Sequence, residues 1–165
     1  MVDRMKEYLN NIEYMECVKD ILNSGIFKKL DGYVQHGCTS TMEHSIDVSY
    51  TTYLVCKKLG LNYKSAARAA LLHDFYLYDW HRPTKETGAF LHGFTHPYKA
   101  AKNAKKYFNI TNKEASMIKT HMFPLTPIPP LSREGWVLTM ADKSTSINEI
   151  IANMKNVHRA GEGTV

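Results

Sequence analysis

At 165 residues, with 44% hydrophobic side chains and a formal net charge of +5, the chain is long enough for one well-buried core and short for two. Cys17, Cys38 and Cys56 form no CxxC pair and no metal-finger spacing, which argues against a disulfide framework and a cysteine zinc site and predicts a reducing compartment. The positive charge comes mostly from scattered lysines, a balance that suits small anionic ligands such as phosphate esters and predicts no specific nucleic-acid partner.

The opening Met1-Val2-Asp3-Arg4-Met5-Lys6 is charged, and no apolar run approaches the length of a membrane span, so a cytoplasmic protein without a membrane partner is expected. Residues 3 to 22 read as a packing helix with Met5, Leu9, Ile12, Met15 or Cys17, and Ile21 or Leu22 at helical spacing. After a loop, Thr39 or Ser40 with Glu43 predicts a capped helix start. The helix that follows carries His44, Val48, Thr51, Val55 and Leu59 on one stripe, and the stripe is expected to face the core.

Asn62 or Ser65 begins a third helix through Ala66, Ala67, Ala69 and Ala70, delivering His73 and Asp74 and ending near Tyr78. Small residues let neighbouring helices approach closely, which predicts that the His-Asp pair is inside. From Asp79 to Thr95 the periodicity fails, and a loop of that length reads as a functional lid or a surface excursion. Thr95 then caps a helix opened by His96 and Pro97, with His96, Ala100, Asn103 or Ala104, and Tyr107 on one face. Thr111 and Glu114 make a capping box for a short helix that aligns Ala115, Ile118 and His121 or Met122.

Pro124, Pro127, Pro129 and Pro130 forbid regular structure before a long helix from about Glu134 to Asn156. Its expected inward stripe is Val137, Met140 or Ala141, Ser144, Ile147, Ile151 and Met154, with Asp142 at the border. The last residues lack any pattern and are expected to fray. No strand and no repeat is visible, so the fold class expected is all-α.

Five helical segments thus bring His44, the His73-Asp74 pair, His96, His121 and Asp142 to or near a buried face. Singly, each has an ordinary explanation as a hydrogen-bonded core residue. Jointly, four imidazoles and two carboxylates leave too many polar groups unpaired in one small core, and a shared cation resolves this. Nitrogen and oxygen ligands without thiolate suit iron, manganese, cobalt, nickel or zinc. Six ligands exceed the needs of one catalytic ion, whereas two ions bridged by Asp74 could use them all.

The order His44, His73-Asp74, then Asp142 followed by Lys143 resembles the HD-domain superfamily of metal-dependent phosphohydrolases, notably in "MEHSIDVSY" and "AALLHDF". His96 in "HGFTHP" and His121 in "IKTHM" are similar to the extra histidines of its two-metal branches. The resemblance implies a compact single-domain helical bundle with one or two divalent transition-metal ions at its centre. It places His44, His73, Asp74 and Asp142 around the first ion and Asp74, His96 and His121 around the second. Asp74 would be the catalytic bridge, with hydroxide directed at the phosphorus of a small phosphorylated substrate, nucleotides being one class.

In this reading residues 1–35 form an N-terminal packing helix and loop, 36–158 the metal-binding domain and 159–165 a flexible tail. Arg82, Lys85, Arg133 and Lys143 are expected at the substrate rim or as surface cations. His36 and His92 are expected beside the site or as exposed loop histidines. The chain lacks the Gly-Tyr-Pro motif of the cyclic-dinucleotide branch and reads Phe75-Tyr76-Leu77 after the His-Asp pair, which argues against that substrate. Two alternatives stand: a diiron oxygenase of the same superfamily, and a non-catalytic metal-binding regulatory module.

Overall fold

The computed structural model describes residues 7–36, 39–81 and 91–162, with backbone alone at 36 and 155–162. The helix expected over 3–22 is interrupted at Asn11, whose side-chain oxygen accepts from the Tyr14 N–H at 3.0 Å and caps α1 (Ile12–Leu22). Leu9 and Ile12 are consequently exposed rather than core, while Tyr14, Cys17, Val18 and Ile21 are buried; Met5 lies outside the described residues. A short α2 (Gly25–Lys28) and a 3-10 turn (Lys29–Gly32) lead into β1 (Val34–His36), which pairs antiparallel with β2 (Thr39–Ser40). This two-stranded sheet was not expected, because strands of two and three residues are too short to show an alternation.

The reciprocal capping box at Ser40 and Glu43 starts α3 (Thr41–Lys58) as the pattern predicts. Asn62 caps α4 (Tyr63–Leu71), which ends well before Tyr78 and leaves His73 and Asp74 in the turn that follows. Leu77 has φ +60°, a left-handed conformation that a helix cannot contain. Likewise α5 (His92–Tyr107) begins before Thr95, and Pro97 lies inside it, with Thr95 Oγ1 donating to the Leu91 carbonyl at 3.1 Å. Thr111 and Glu114 form the expected box for α6 (Asn112–Thr120), whose C-cap is His121. The proline-rich turns end at α7 (Arg133–Glu162); 163–165 lie outside the described residues.

The four alanines of α4 are all fully buried, and their size decides the packing. With only methyl groups between the helices, Ser49 Oγ on α3 reaches the Ala67 carbonyl on α4 at 2.8 Å. Tyr14 OH donates to Ser49 Oγ at 3.0 Å, and its ring meets Tyr50 and Tyr53 edge-on at 5.0 and 5.3 Å. At the margin of this cluster Glu13 accepts from Tyr53 OH, Tyr63 OH and Lys57, tying α1 to α3 and α4.

Two expected stripes turn out differently. On α3, His44 and Val48 are buried, but Val55 and Leu59 are exposed, because the side packed on α4 is the one carrying Ser45, Ser49, Thr52 and Cys56. On α7 the inward side carries Leu138, Ala141, Asp142, Thr145 and Glu149, while Met140, Ile147, Ile151 and Met154 face outward. No described helix is long and apolar enough to cross a membrane.

Ala67→Leu should force α3 and α4 apart and cost about 1–3 kcal/mol of stability. Urea denaturation followed by circular dichroism checks this, and an unchanged midpoint would show that the interface has room to spare.

Candidate metal centre

Each ligand candidate is delivered by a different local device. His44 lies in the first turn of α3, fixed by the Ser40 cap, and is fully buried. His73 and Asp74 leave the end of α4 in a tight turn, where Phe75 N–H donates to the Leu72 carbonyl at 3.2 Å. His96 projects from α5, His121 from the end of α6, and Asp142 from the inward face of α7. The structure therefore brings all six predicted ligands into one buried cluster.

In that cluster Asp142 Oδ1 is 3.2 Å from His44 Nε2 and 3.5 Å from His73 Nε2. Asp74 Oδ2 is 3.5 Å from His73 Nε2, and its Oδ1 is 3.2 Å from His96 Nε2 and 3.8 Å from His121 Nε2. His96 Nε2 and His121 Nε2 face each other at 3.1 Å. Two overlapping groups meet metal-ligand spacing, His44 with His73 and Asp142, and His73 with Asp74 and His121.

The opposite ring nitrogens explain why these atoms converge. Nδ1 of His73 and of His121 each donates at 2.7 Å to the carbonyl three residues back, Ala70 and Ile118, and His96 Nδ1 donates to the His92 carbonyl at 2.9 Å. A carbonyl can only accept, so the proton sits on Nδ1 and Nε2 presents a lone pair to the cluster. Lone pairs facing one another and carboxylate oxygens repel unless a cation lies between them. His73 Nε2 and Asp74 Oδ1 are buried without any hydrogen-bond partner, which is the signature of such a site. The donor set fits a divalent transition-metal ion.

The carboxylates around His44 also hold a proton on it, which a bound cation would have to displace. Burial lowers the pKa of His44, but hydrogen bonds with Asp142 and Glu149 outweigh it and push the imidazole up to about 10. Burial, then the neighbouring His73 and His96, brings His121 down to about 3, which keeps it neutral and able to ligate. Burial would raise Asp142, yet its hydrogen bonds to His44 and His73 hold it well below the usual carboxylate range.

Two residues escaped the sequence reading. Glu149 is buried with both carboxylate oxygens 3.1 Å from His44 Nδ1, so it does for His44 what backbone carbonyls do for the other three histidines. Its signal was present: it lies seven residues after Asp142 and so on the same helical face. Gln35, on β1, donates through Nε2 to Asp74 Oδ2 at 2.6 Å, and its Oε1 accepts from Tyr76 OH at 2.8 Å and from Thr41 Oγ1 at 3.2 Å. No periodicity marks it.

A cavity of about 420 Å³ opens onto the cluster, lined by Asp74, His96, His121 and Asp142 and beyond them by Gln35, Trp80, His92, Met122, Lys143 and Ile147. Of the expected rim residues, Lys143 and His92 are in place. His92 Nδ1 is 2.9 Å from Tyr78 OH, and its ring stacks on Trp80 at 5.1 Å and on His96 at 4.6 Å. Arg133 is not among the lining residues; it is exposed at the start of α7, about 13 Å along the helix axis from Asp142 at the usual rise. Arg82 and Lys85 lie outside the described residues, as does the side chain of His36.

Glu149→Ala should weaken divalent metal binding by roughly 10- to 100-fold, and Glu149→Gln, which keeps an acceptor for His44 Nδ1, by less. Metal titration of the two variants measures this; equal affinity in Glu149→Ala and wild type would remove Glu149 from the site.

The family model described as "HD domain" matches residues 41–147, a span that encloses all six clustered ligand candidates and excludes Gln35 and Glu149. No curated protein and no solved structure matches the chain. With the match covering well over half of its length, and with the buried His, His-Asp and Asp positions in one cluster, the chain belongs to the HD-domain family.

Proposed function

We propose that the protein is a metal-dependent phosphohydrolase that cleaves a phosphomonoester or phosphodiester of a small anionic substrate, of which nucleotides are one class. The observation that carries this reading is the pair of overlapping ligand groups, which share His73, at the floor of a cavity whose described lining includes the cation Lys143. Divalent ions held by His44, His73 and Asp142 on one side and by Asp74, His96 and His121 on the other would lower the pKa of coordinated water and neutralise phosphoryl oxygens.

The chain's own residues do the rest. Lys143 follows Asp142 directly and offers its ammonium group to the substrate's phosphate. Gln35 holds Asp74 Oδ2 and is itself held by Tyr76 and Thr41, which fixes the orientation of the Asp74 carboxylate. The stacked Trp80 and His92 rings make a flat wall against which a planar leaving group can lie, and Met122 and Ile147 keep that side dry.

Purified without chelator, the wild type is expected to carry about two ions per chain, and His96→Gln or His121→Gln about one. Asp74→Ala should lose metal and hydrolysis together. Turnover of a chromogenic phosphomonoester and phosphodiester with manganese, cobalt or nickel under anaerobic conditions checks the chemistry. Turnover that needs iron and consumes dioxygen would instead establish the oxygenase, and a stable, metal-free, inactive wild type the regulatory module.

A further inference from the structure

The long helix α7 is amphipathic with its apolar side turned outward. Trp136, Met140, Lys143, Ile147, Ile150 and Met154 follow one another at intervals of four, three, four, three and four, the heptad spacing of a coiled-coil seam. Five of them are large apolar side chains left open to solvent, with Met140 at 61%, Ile147 at 57% and Met154 at 59% exposure. At 100° per residue this seam lies across the helix from Leu138, Asp142, Thr145 and Glu149, which are buried around the metal centre.

We infer that this face of α7 is covered by a second copy of the same chain, packed antiparallel about a two-fold axis near Ile147. A standard interface occupies about 800 Å² per partner, somewhat over half of it apolar. The five apolar seam residues together with Ile151 supply on the order of 500 Å², at the upper end of what a monomer leaves exposed.

The shape is self-complementary. Between α3 and the first half of α7 runs a groove of about 400 Å³ lined by Thr51, Val55, Trp136, Val137 and Met140. The second half of α7 carries the matching ridge of Ile150, Ile151 and Met154. Antiparallel pairing seats the ridge of each copy in the groove of the other, with Met140 opposite Met154, as an isologous contact requires.

Charge selects the same partner. Lys143 is the one charged residue of the seam, and its neighbours Ser144, Ser146 and Asn148 are uncharged, so a strongly charged target finds a single cation to pair with. In the antiparallel arrangement the two Lys143 residues stand about 12 Å apart along the axis, beyond a Debye length at physiological salt. Because Lys143, Ser146 and Ile147 also border the cavity, the partner's α7 walls its mouth on that side.

Size-exclusion chromatography with light scattering, on the full chain at tens of micromolar, should return twice the 18.9 kDa chain mass. Met140→Glu and Ile151→Glu, both on the solvent side, should each return a monomer with the wild-type circular dichroism spectrum. Under mild oxidation a mixture of Met140→Cys and Met154→Cys chains should cross-link, whereas either alone should not exceed the wild type. A monomeric wild type, a dimer that persists in both glutamate variants, or self-cross-linking of Met140→Cys alone would each overturn the inference.

Discussion

Asp74 is a carboxylate almost wholly removed from water, and the architecture around it is arranged to make that tolerable. An isolated buried charge of this kind is unstable by several kcal/mol unless it is paired or coordinates a metal. One oxygen is held by Gln35, and the other faces the Nε2 atoms of His96 and His121 without a hydrogen bond. Holding it there requires α4 to stop at Leu71, so that the turn rather than a helix side aims the group. It also requires the alanines of α4 to be small enough for α3 to bring His44 alongside. The fold and the site are thus one packing problem.

The histidines show how the backbone takes part. Three of the four fix their tautomer on a carbonyl three or four residues back, which only a helix or its terminal turn places within reach. His44, in the first turn of α3, borrows a carboxylate from α7. A carboxylate partner makes His44 the most electron-rich of the four, so the ligand group that includes Asp142 carries more negative charge than the group around His96 and His121. The two halves of the centre are unequal for that reason.

Polar groups turned inward on α7 have a consequence on its other side. A helix that presents Asp142, Thr145 and Glu149 to the core cannot also present a continuous apolar stripe there, so its large apolar residues face solvent. The rest of the core is assembled from the tyrosine cluster, the alanines of α4 and the apolar residues of α1 and α6. A polar cluster in the centre and apolar surface at the periphery are two results of one choice of rotation.

Local signals determined much of this protein. The capping boxes at Ser40 and Thr111, the proline barrier before α7 and the helical spacing of the alanines are short-range, and each appears where its residues predict. Five of the six clustered ligand candidates were legible because metal-competent side chains are conspicuous at helix termini and on apolar faces, and Asp142 because of its order after His44 and His73-Asp74. Tertiary structure alone decided how each helix is rotated about its axis. Hydrophobic periodicity assumes that the apolar stripe faces in, and on α7 the burial of Asp142 and Glu149 reversed it. Gln35 was invisible for a related reason: it acts from a two-stranded ribbon too short to carry a pattern, and its contact with Asp74 spans 39 residues that only the folded chain brings together.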